Sequence, residues 1–359
     1  MKVLYIMSSY NIYGGTPKKT LDLMKFFKGD AVLYVYDNSY PEFKHMFEST
    51  GGKVYEGFFG KNYFKHTTML LKIIRKNNID IVQTQFSFGE TLGFLIKKFD
   101  KNIKLAVAFV GSQKPSLIKS LFLARVYKKA DFFIYISKYV KKEKERQFHF
   151  LLNKPSEVIY NGTEVREDIG DDVISLKRIS LLDIAGLTEI KNIKVLIEAL
   201  NILVNIKGID NINLYVAGDG PQKNELLSLI KKYNLIDYVE LLGYQQNIGK
   251  LLNSCDIFVH PCYKEGFGIA VAEAMLAQKP IIASKAGALP ELIENNKTGL
   301  LVDAFNAEEW SSAIIRIIEN KKEANDLALN AQKKARLDFS IYEYTSNYKQ
   351  LYQKLISIK

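Results

Sequence analysis

Residues 256–302 read DIFVHPCYKEGFGIAVAEAMLAQKPIIASKAGALPELIENNKTGLLV. The run Asp256–His260 has the β-branched and aromatic content of a buried strand, and a turn bearing glycine follows it. A helical stretch near 268–277 comes next, then apolar runs at Pro280–Ala283 and Leu300–Val302 that read as further strands. Strand, glycine turn, helix and strand in that order predict a parallel βαβ unit. In such a unit Gly266, Phe267 and Gly268 open the helix, where backbone N–H groups and the helix dipole favour an anion such as phosphate. Glu265 stands in the turn, and Glu273, eight residues on, falls about two helical turns away on a similar face. Carboxylates accept hydrogen bonds from sugar hydroxyls, so this pair suits a polyhydroxylated ligand that also carries phosphate.

The same rhythm extends in both directions. Arg178–Ala185, Ile212–Ala217 and Tyr238–Leu242 read as strands, with helices near 192–205, 221–233 and 307–319. Upstream, Lys2–Met7, Ala31–Tyr36, Asp80–Gln85, Lys104–Val110, Asp131–Ile136 and Glu157–Tyr160 alternate with amphipathic stretches such as Thr20–Phe27 and Thr67–Lys76. The fold class is therefore α/β, and 359 residues predict two domains. The polar segment Asn161–Asp172, with two glycines and several acidic residues, is the natural linker. The division is an N-terminal Rossmann-like domain at 1–165, a second at 173–338 and an amphipathic helix at 339–359.

With 47% hydrophobic, 12% aromatic and 25% charged residues, the chain falls outside disordered, collagenous and disulfide-scaffold classes. No apolar run approaches the ~18 residues of a membrane span, and Val3–Met7 is too short for a signal-peptide core, so a cytoplasmic location is expected. Cys255 and Cys262 are too few for a disulfide framework, and His45, His66, His149 and His260 show no ligand-like spacing with them. No protein-held metal and no cofactor are expected.

Charge is unevenly shared. Residues 1–170 hold 28 Lys/Arg against 16 Asp/Glu, a balance of +12, whereas residues 171–359 hold 22 against 23. A basic first half points to a polyanionic partner. Basic and aromatic residues share Lys61–Lys76, Lys114–Lys129 and Lys138–Lys154, a pattern suited to an anionic membrane surface and a lipid-linked partner. No nucleic-acid-binding motif accompanies the charge, and no nucleic acid is expected.

Several pieces recur in a familiar order: SSYNIYGGTPKKTLDL (8–23), ADFFIYISKYVKKE (130–143), VIYNGTE (158–164), GLTEIKNIKVLIEAL (186–200), LYVAGDGPQKNEL (214–226), VELLGY (239–244) and CDIFVHPCYKEGFGIAVAEAMLAQKPIIAS (255–284). Together they closely resemble the glycosyltransferases of family 4, of the retaining group 1 type, strongly in the second half and more weakly in the first. The resemblance implies the GT-B fold, two Rossmann-like domains facing each other across a cleft, with the last helix packing back on the N-terminal domain. It implies that Glu273 binds the ribose of a nucleotide-sugar, and that Glu265 with the amides of Gly266, Phe267 and Gly268 holds the donor sugar. Lys191 matches the lysine on the donor diphosphate, Gly243 and Tyr244 lie near the base, and Gly14 and Gly15 match the glycine turn after the first strand. Lys191 and Glu265 are the expected catalytic pair. Fixed donors around the diphosphate stabilise the charge that develops as the glycosidic bond breaks, so metal is not required.

Two departures stand out. The arginine that relatives usually carry before the leucine of GLTEIKN is Gly186 here, which leaves one cation fewer on the diphosphate, with Lys264 and Lys285 as candidate substitutes. Gln83 and Gln85 stand where relatives often have histidines; they can orient hydroxyls but cannot act as bases near neutral pH. The expected function is metal-independent, retaining transfer of a hexose from a nucleoside-diphosphate-sugar, UDP first and GDP next, to a glycan or lipid-linked saccharide in bacterial surface polysaccharide assembly. A nucleotide-sugar-binding protein without transferase activity and a nucleotide-sugar epimerase are the alternatives. Glycine runs at 13–15 and 218–220 do not form the dinucleotide fingerprint of a dehydrogenase.

Overall fold

A computed structural model describes residues 1–12, 15–164 and 178–357. Gly14 and most of the polar linker lie outside the described residues. The chain divides into two compact units, Met1–Gly162 with Ile341–Lys359, and Thr163–Ser340.

The first unit alternates strand and helix: β1 (Val3–Met7), α1 (Gly15–Phe27), β2 (Ala31–Val35), α2 (Lys44–Glu48), β3 (Lys53–Glu56), α3 (Tyr63–Asn77), β4 (Ile81–Thr84), α4 (Phe86–Phe99), β5 (Lys104–Phe109), α5 (Leu117–Lys128), β6 (Phe132–Tyr135), α6 (Lys138–Gln147) and β7 (Ser156–Val158). All seven strands are parallel, in the order β3-β2-β1-β4-β5-β6-β7. Strands β1, β2 and β6 are buried at every residue, which is why they read as unbroken apolar runs; β4, IVQT, is equally buried but ends in two polar side chains. The edge strand β3, KVYE, is half exposed and carries two charges, so no such run marks it. Side-chain caps set helix starts: Asn62 accepts from the Lys65 amide at 3.0 Å and Ser137 from the Val140 amide at 3.0 Å.

The second unit repeats the plan with β8 (Ile179–Ile184), α7 (Ile193–Asn201), β9 (Ile212–Ala217), α8 (Lys223–Lys232), β10 (Val239–Gly243), α9 (Ile248–Ser254), β11 (Ile257–His260), α10 (Ile269–Leu276), β12 (Ile281–Ser284), α11 (Leu289–Leu292), β13 (Leu300–Val302), α12 (Ala307–Glu319) and α13 (Lys321–Asp338). Its six parallel strands run β10-β9-β8-β11-β12-β13. The helix expected over 192–205 continues from α7 as a π-helical turn, Ile202–Ile206, rather than as regular α-helix. Strand order reverses between β8 and β11, and in open α/β sheets ligands bind outside the carboxyl ends of the strands at such a point.

The last helix, α14 (Ile341–Ser357), belongs to the first unit. It lays Tyr344, Tyr348, Leu351, Tyr352 and Leu355 into that unit's core beside Tyr5 and Leu21. Its hydroxyl-bearing side is also used: Tyr352 Oη donates to Gln83 Oε1 at 2.6 Å. Among the described residues, no helix is long and apolar enough to cross a membrane.

Candidate active site

Four ionisable side chains gather at the reversal point of the second sheet. Asp183 lies near the end of β8, and Lys191 closes the short 3-10 turn Glu189–Lys191 that follows that strand. His260 ends β11, and Glu265 sits in the turn just beyond. They form a chain of alternating charge: Asp183 Oδ1 faces His260 Nδ1 at 2.9 Å, His260 Nε2 faces Glu265 Oε2 at 3.2 Å, and Lys191 Nζ donates to that same oxygen at 2.5 Å. His260 and Asp183 are fully buried, whereas Lys191 and Glu265 retain some exposure.

Charge states follow from these contacts. Burial alone lowers the His260 pKa, but the adjacent Asp183 carboxylate, with hydrogen bonds to Asp183, Cys262 and Glu265, outweighs it and raises the imidazole well above its ordinary value. Burial alone raises Glu265, yet the His260 hydrogen bond and the Lys191 charge hold it well below the usual carboxylate range. Burial opposes the Lys191 ammonium, and Glu265 reverses that to leave it raised. The second oxygen of Asp183, Oδ2, is buried with no hydrogen-bond partner among the described residues.

Backbone geometry fixes Glu265 from behind. Gly287 has φ +58°, and a Cβ added there would lie 2.5 Å from Glu265 O, while the Ala288 amide donates to that oxygen at 3.0 Å. On the far side of the turn, Gly268 has φ +106° and opens α10, and Phe267 is buried edge-on against Phe339 at 5.5 Å. Glu273 stands apart from the charged chain on α10, where Thr163 Oγ1 donates to its Oε1 at 3.3 Å. There it shares a shallow pocket with Glu164, Ile248, Gly249 and Leu252.

Two loops complete the same end of the sheet. Gly218 amide donates to Gly243 O at 2.8 Å, which ties the loop after β9 to the end of β10, and Tyr244 beyond it is half exposed. A Cβ at Gly218 would meet Ala185 O at 2.0 Å and one at Gly220 would meet Leu187 O at 2.5 Å, so GDG packs backbone to backbone on AGL. Gly186 differs: it is exposed, and a Cβ there meets only Asp219 O at 3.7 Å. The missing arginine is thus not excluded by space. Lys264 and Lys285 are exposed on either side of the turn. In the first unit, Gly15 is the exposed first residue of α1.

The structure revises two expectations. His260, Cys262 and Glu265 bring ligand-type atoms within 4.8 Å of one another, an arrangement that their sequence spacing did not suggest. As folded, however, both imidazole nitrogens face carboxylates and Glu265 Oε2 takes Lys191, so a cation there would have to displace the ammonium and the imidazole proton. Gln83 does not offer its amide oxygen to a ligand, because Tyr352 takes it inside the core; Gln85 is also buried, its Nε2 donating to Thr20 Oγ1 at 3.4 Å.

Sequence reasoning reads His260 as a histidine held by hydrogen bonds at a strand end, as found, but misses Asp183 as its partner. The signal was present in SLLDIAG, an acidic residue within an apolar strand, since buried carboxylates are rare unless paired.

Residues 165–334, which hold this charged chain and its glycine turns, match the family model of the glycosyl transferases group 1. The supporting similarities are to glycosyltransferases. An uncharacterized glycosyltransferase of Methanocaldococcus jannaschii is 26% identical over 366 aligned residues, covering 99% of each chain. The N,N'-diacetylbacillosaminyl-diphospho-undecaprenol alpha-1,3-N-acetylgalactosaminyltransferase of Campylobacter jejuni is 27% identical over 320 residues, 82% of this chain and 81% of that one. Among solved structures, Anabaena HepE in complex with UDP superposes with a TM-score of 0.83 at 20% identity, covering 99% of this chain and 100% of that one. That likeness is one of fold, and the fold is GT-B.

Proposed function

We propose that this chain is a retaining glycosyltransferase of family 4 that moves a hexose from UDP-sugar, without metal, to a glycan or lipid-linked saccharide acceptor. Its setting is bacterial surface polysaccharide assembly on the cytoplasmic face of an anionic membrane. The carrying observation is the Lys191–Glu265 pair at 2.5 Å, set beside a glycine-bearing helix start at the strand reversal of the second sheet. Similarity to a transferase whose name specifies a diphospho-undecaprenol substrate supports the lipid-linked acceptor. The fold likeness to a UDP complex supports the base.

In this reading Glu273 takes the ribose hydroxyls, and Glu265 with the amides of Gly266, Phe267 and Gly268 takes the donor sugar. As the bond from the anomeric carbon to the phosphate oxygen breaks, its electron pair leaves with the diphosphate, and Lys191 donates to the growing negative charge. When Lys191 turns from Glu265 to the phosphate, the His260 imidazolium, held by Asp183, keeps Glu265 ionised and in place. The acceptor hydroxyl attacks the sugar face that the diphosphate leaves and passes its proton to the departing phosphate oxygen, which gives retention without a protein nucleophile.

Calorimetry with UDP, GDP, ADP and NAD in the presence of a chelator tests this directly, followed by sugar nucleotides of the preferred base. The expected result is selective UDP binding that Glu273→Ala abolishes in a protein with unchanged circular dichroism. Full affinity in folded Glu273→Ala would sink the ribose assignment, and no diphosphate binding at all would sink the transferase reading. Donor binding without transfer to any acceptor marks a binding protein, and conversion of the donor without acceptor marks an epimerase.

A further inference from the structure

Helix α5 has an arrangement that the fold of its own unit does not need. Its only buried side chains are Leu123, Val126 and Tyr127, all in its second half, where Tyr127 Oη donates to Glu90 Oε2 at 2.9 Å and its ring packs edge-on against Phe109, Phe133 and Phe148. The first half is not anchored in this way. Leu117, Ile118, Leu121 and Phe122 are 78%, 83%, 60% and 45% exposed, and at 100° per residue they fall on one face of the helix. Farther along, that face passes to Arg125, Lys128 and Lys129, all exposed.

Contiguous apolar exposure on this scale marks an interaction site, because water penalises it and nothing in the core requires it. Charge identifies the occupant. From Lys101 to Ala130 the sequence contains no Asp or Glu, and it carries Lys101, Lys104, Lys114, Lys119, Arg125, Lys128 and Lys129. Four large apolar side chains at one end of a short helix and a basic cluster at the other match the depth profile of a membrane interface, acyl chains below and anionic headgroups above. The three basic stretches noted in the sequence are not equivalent. Helix α6 exposes no large apolar side chain, and the exposed face of α3 carries Tyr63 and Phe64 only at its start.

We propose that α5 is a membrane wedge: Leu117, Ile118, Leu121 and Phe122 insert into an anionic lipid leaflet while Arg125, Lys128 and Lys129 engage its headgroups. This deepens the proposed function, since it names the element that brings the first unit to a lipid-linked acceptor. The helix and the donor site are in different units and share no residue.

Flotation of the full chain with phosphatidylcholine vesicles, with and without about a third phosphatidylglycerol, tests the proposal. Wild-type protein is expected to float with the anionic vesicles and to remain largely unbound with the neutral ones. The double variant Leu117→Ser, Ile118→Ser is expected to lose about tenfold or more in vesicle affinity. Lys128→Gln is expected to lose roughly fivefold, as one headgroup contact implies. Both variants alter exposed side chains, and unchanged thermal melting and UDP binding would show that the units remain intact. Equal flotation of the double variant and wild type overturns the wedge, as does flotation with neither vesicle. Self-association in solution that the double variant abolishes also overturns it, and assigns the face to a second copy of the chain. If UDP binding is absent while flotation behaves as expected, the donor reading fails and the wedge stands.

Discussion

At the level of single residues, the second unit's site is an ion-pair network whose two carboxylates favour the charged form of His260. Its raised pKa means that the folded state binds this proton more tightly than the unfolded chain. The resulting stabilisation is fully present below the unfolded value of about 6.5 and is lost as pH rises through the folded value. Glu265 acts oppositely: its lowered pKa stabilises the fold above an unfolded value of about 4.3, and that contribution disappears as pH falls through the folded value. Thermal melting of wild type between pH 6 and 10 is therefore expected to decline with a slope of up to about 1.4 kcal/mol per pH unit that His260→Asn lacks. Identical slopes in the two proteins would show that His260 is neutral in the fold. These two residues also show how far a sequence can be read. Glu265 and Lys191 were visible because each sits in a motif, but their pairing with His260, and through it with Asp183, spans 77 positions from Asp183 to His260. Only strand order brings those positions together. An isolated histidine before a proline carries no mark of its partner.

Elements show a sharper division between what pattern dictates and what it leaves free. Fully buried strands such as FFIY and IFVH were legible because every residue is apolar or paired within the core. The half-exposed edge strand β3 was not, because its side chains meet water on one side and charge breaks the apolar run. Loops obey a different rule, set by backbone approach. Gly218 combines φ +153° with a Cβ position 2.0 Å from Ala185 O, whereas the Cβ position at Gly186 is unobstructed. Paired substitutions should separate the two. Gly218→Ala is expected to lower Tm by several degrees, as a loss of ~1–3 kcal/mol implies for a unit of this size. Gly186→Arg is expected to leave Tm unchanged and to tighten UDP binding about tenfold through an added charge-assisted contact. Calorimetry and melting curves on both proteins check this, and a collapsed Gly186→Arg variant would contradict the open space described at that position.

The scale of the whole molecule is governed by the path of the chain. Residues 341–357 belong to the first unit although the entire second unit precedes them in sequence. Six side chains of α14 lie buried in the first unit, and Tyr352 closes the hydrogen bond to Gln83. Tyr352→Phe leaves that buried amide oxygen without its donor and is expected to cost about 1–3 kcal/mol. The loss should appear as a lower first-unit transition in scanning calorimetry, with the second-unit transition unmoved; a shift in both would mean that the units melt as one. The same path sets an order in time. A ribosome delivers β1 to β7 first, yet their core stays open along the α14 face until the last helix has been made. Domains generally fold as they are synthesised, from the N-terminus onward. Here the second unit is complete while the first still exposes the apolar floor that Tyr344, Tyr348 and Leu351 will cover. The half of the chain made first is therefore the half finished last, and during synthesis it is the half whose core waits on a distant segment.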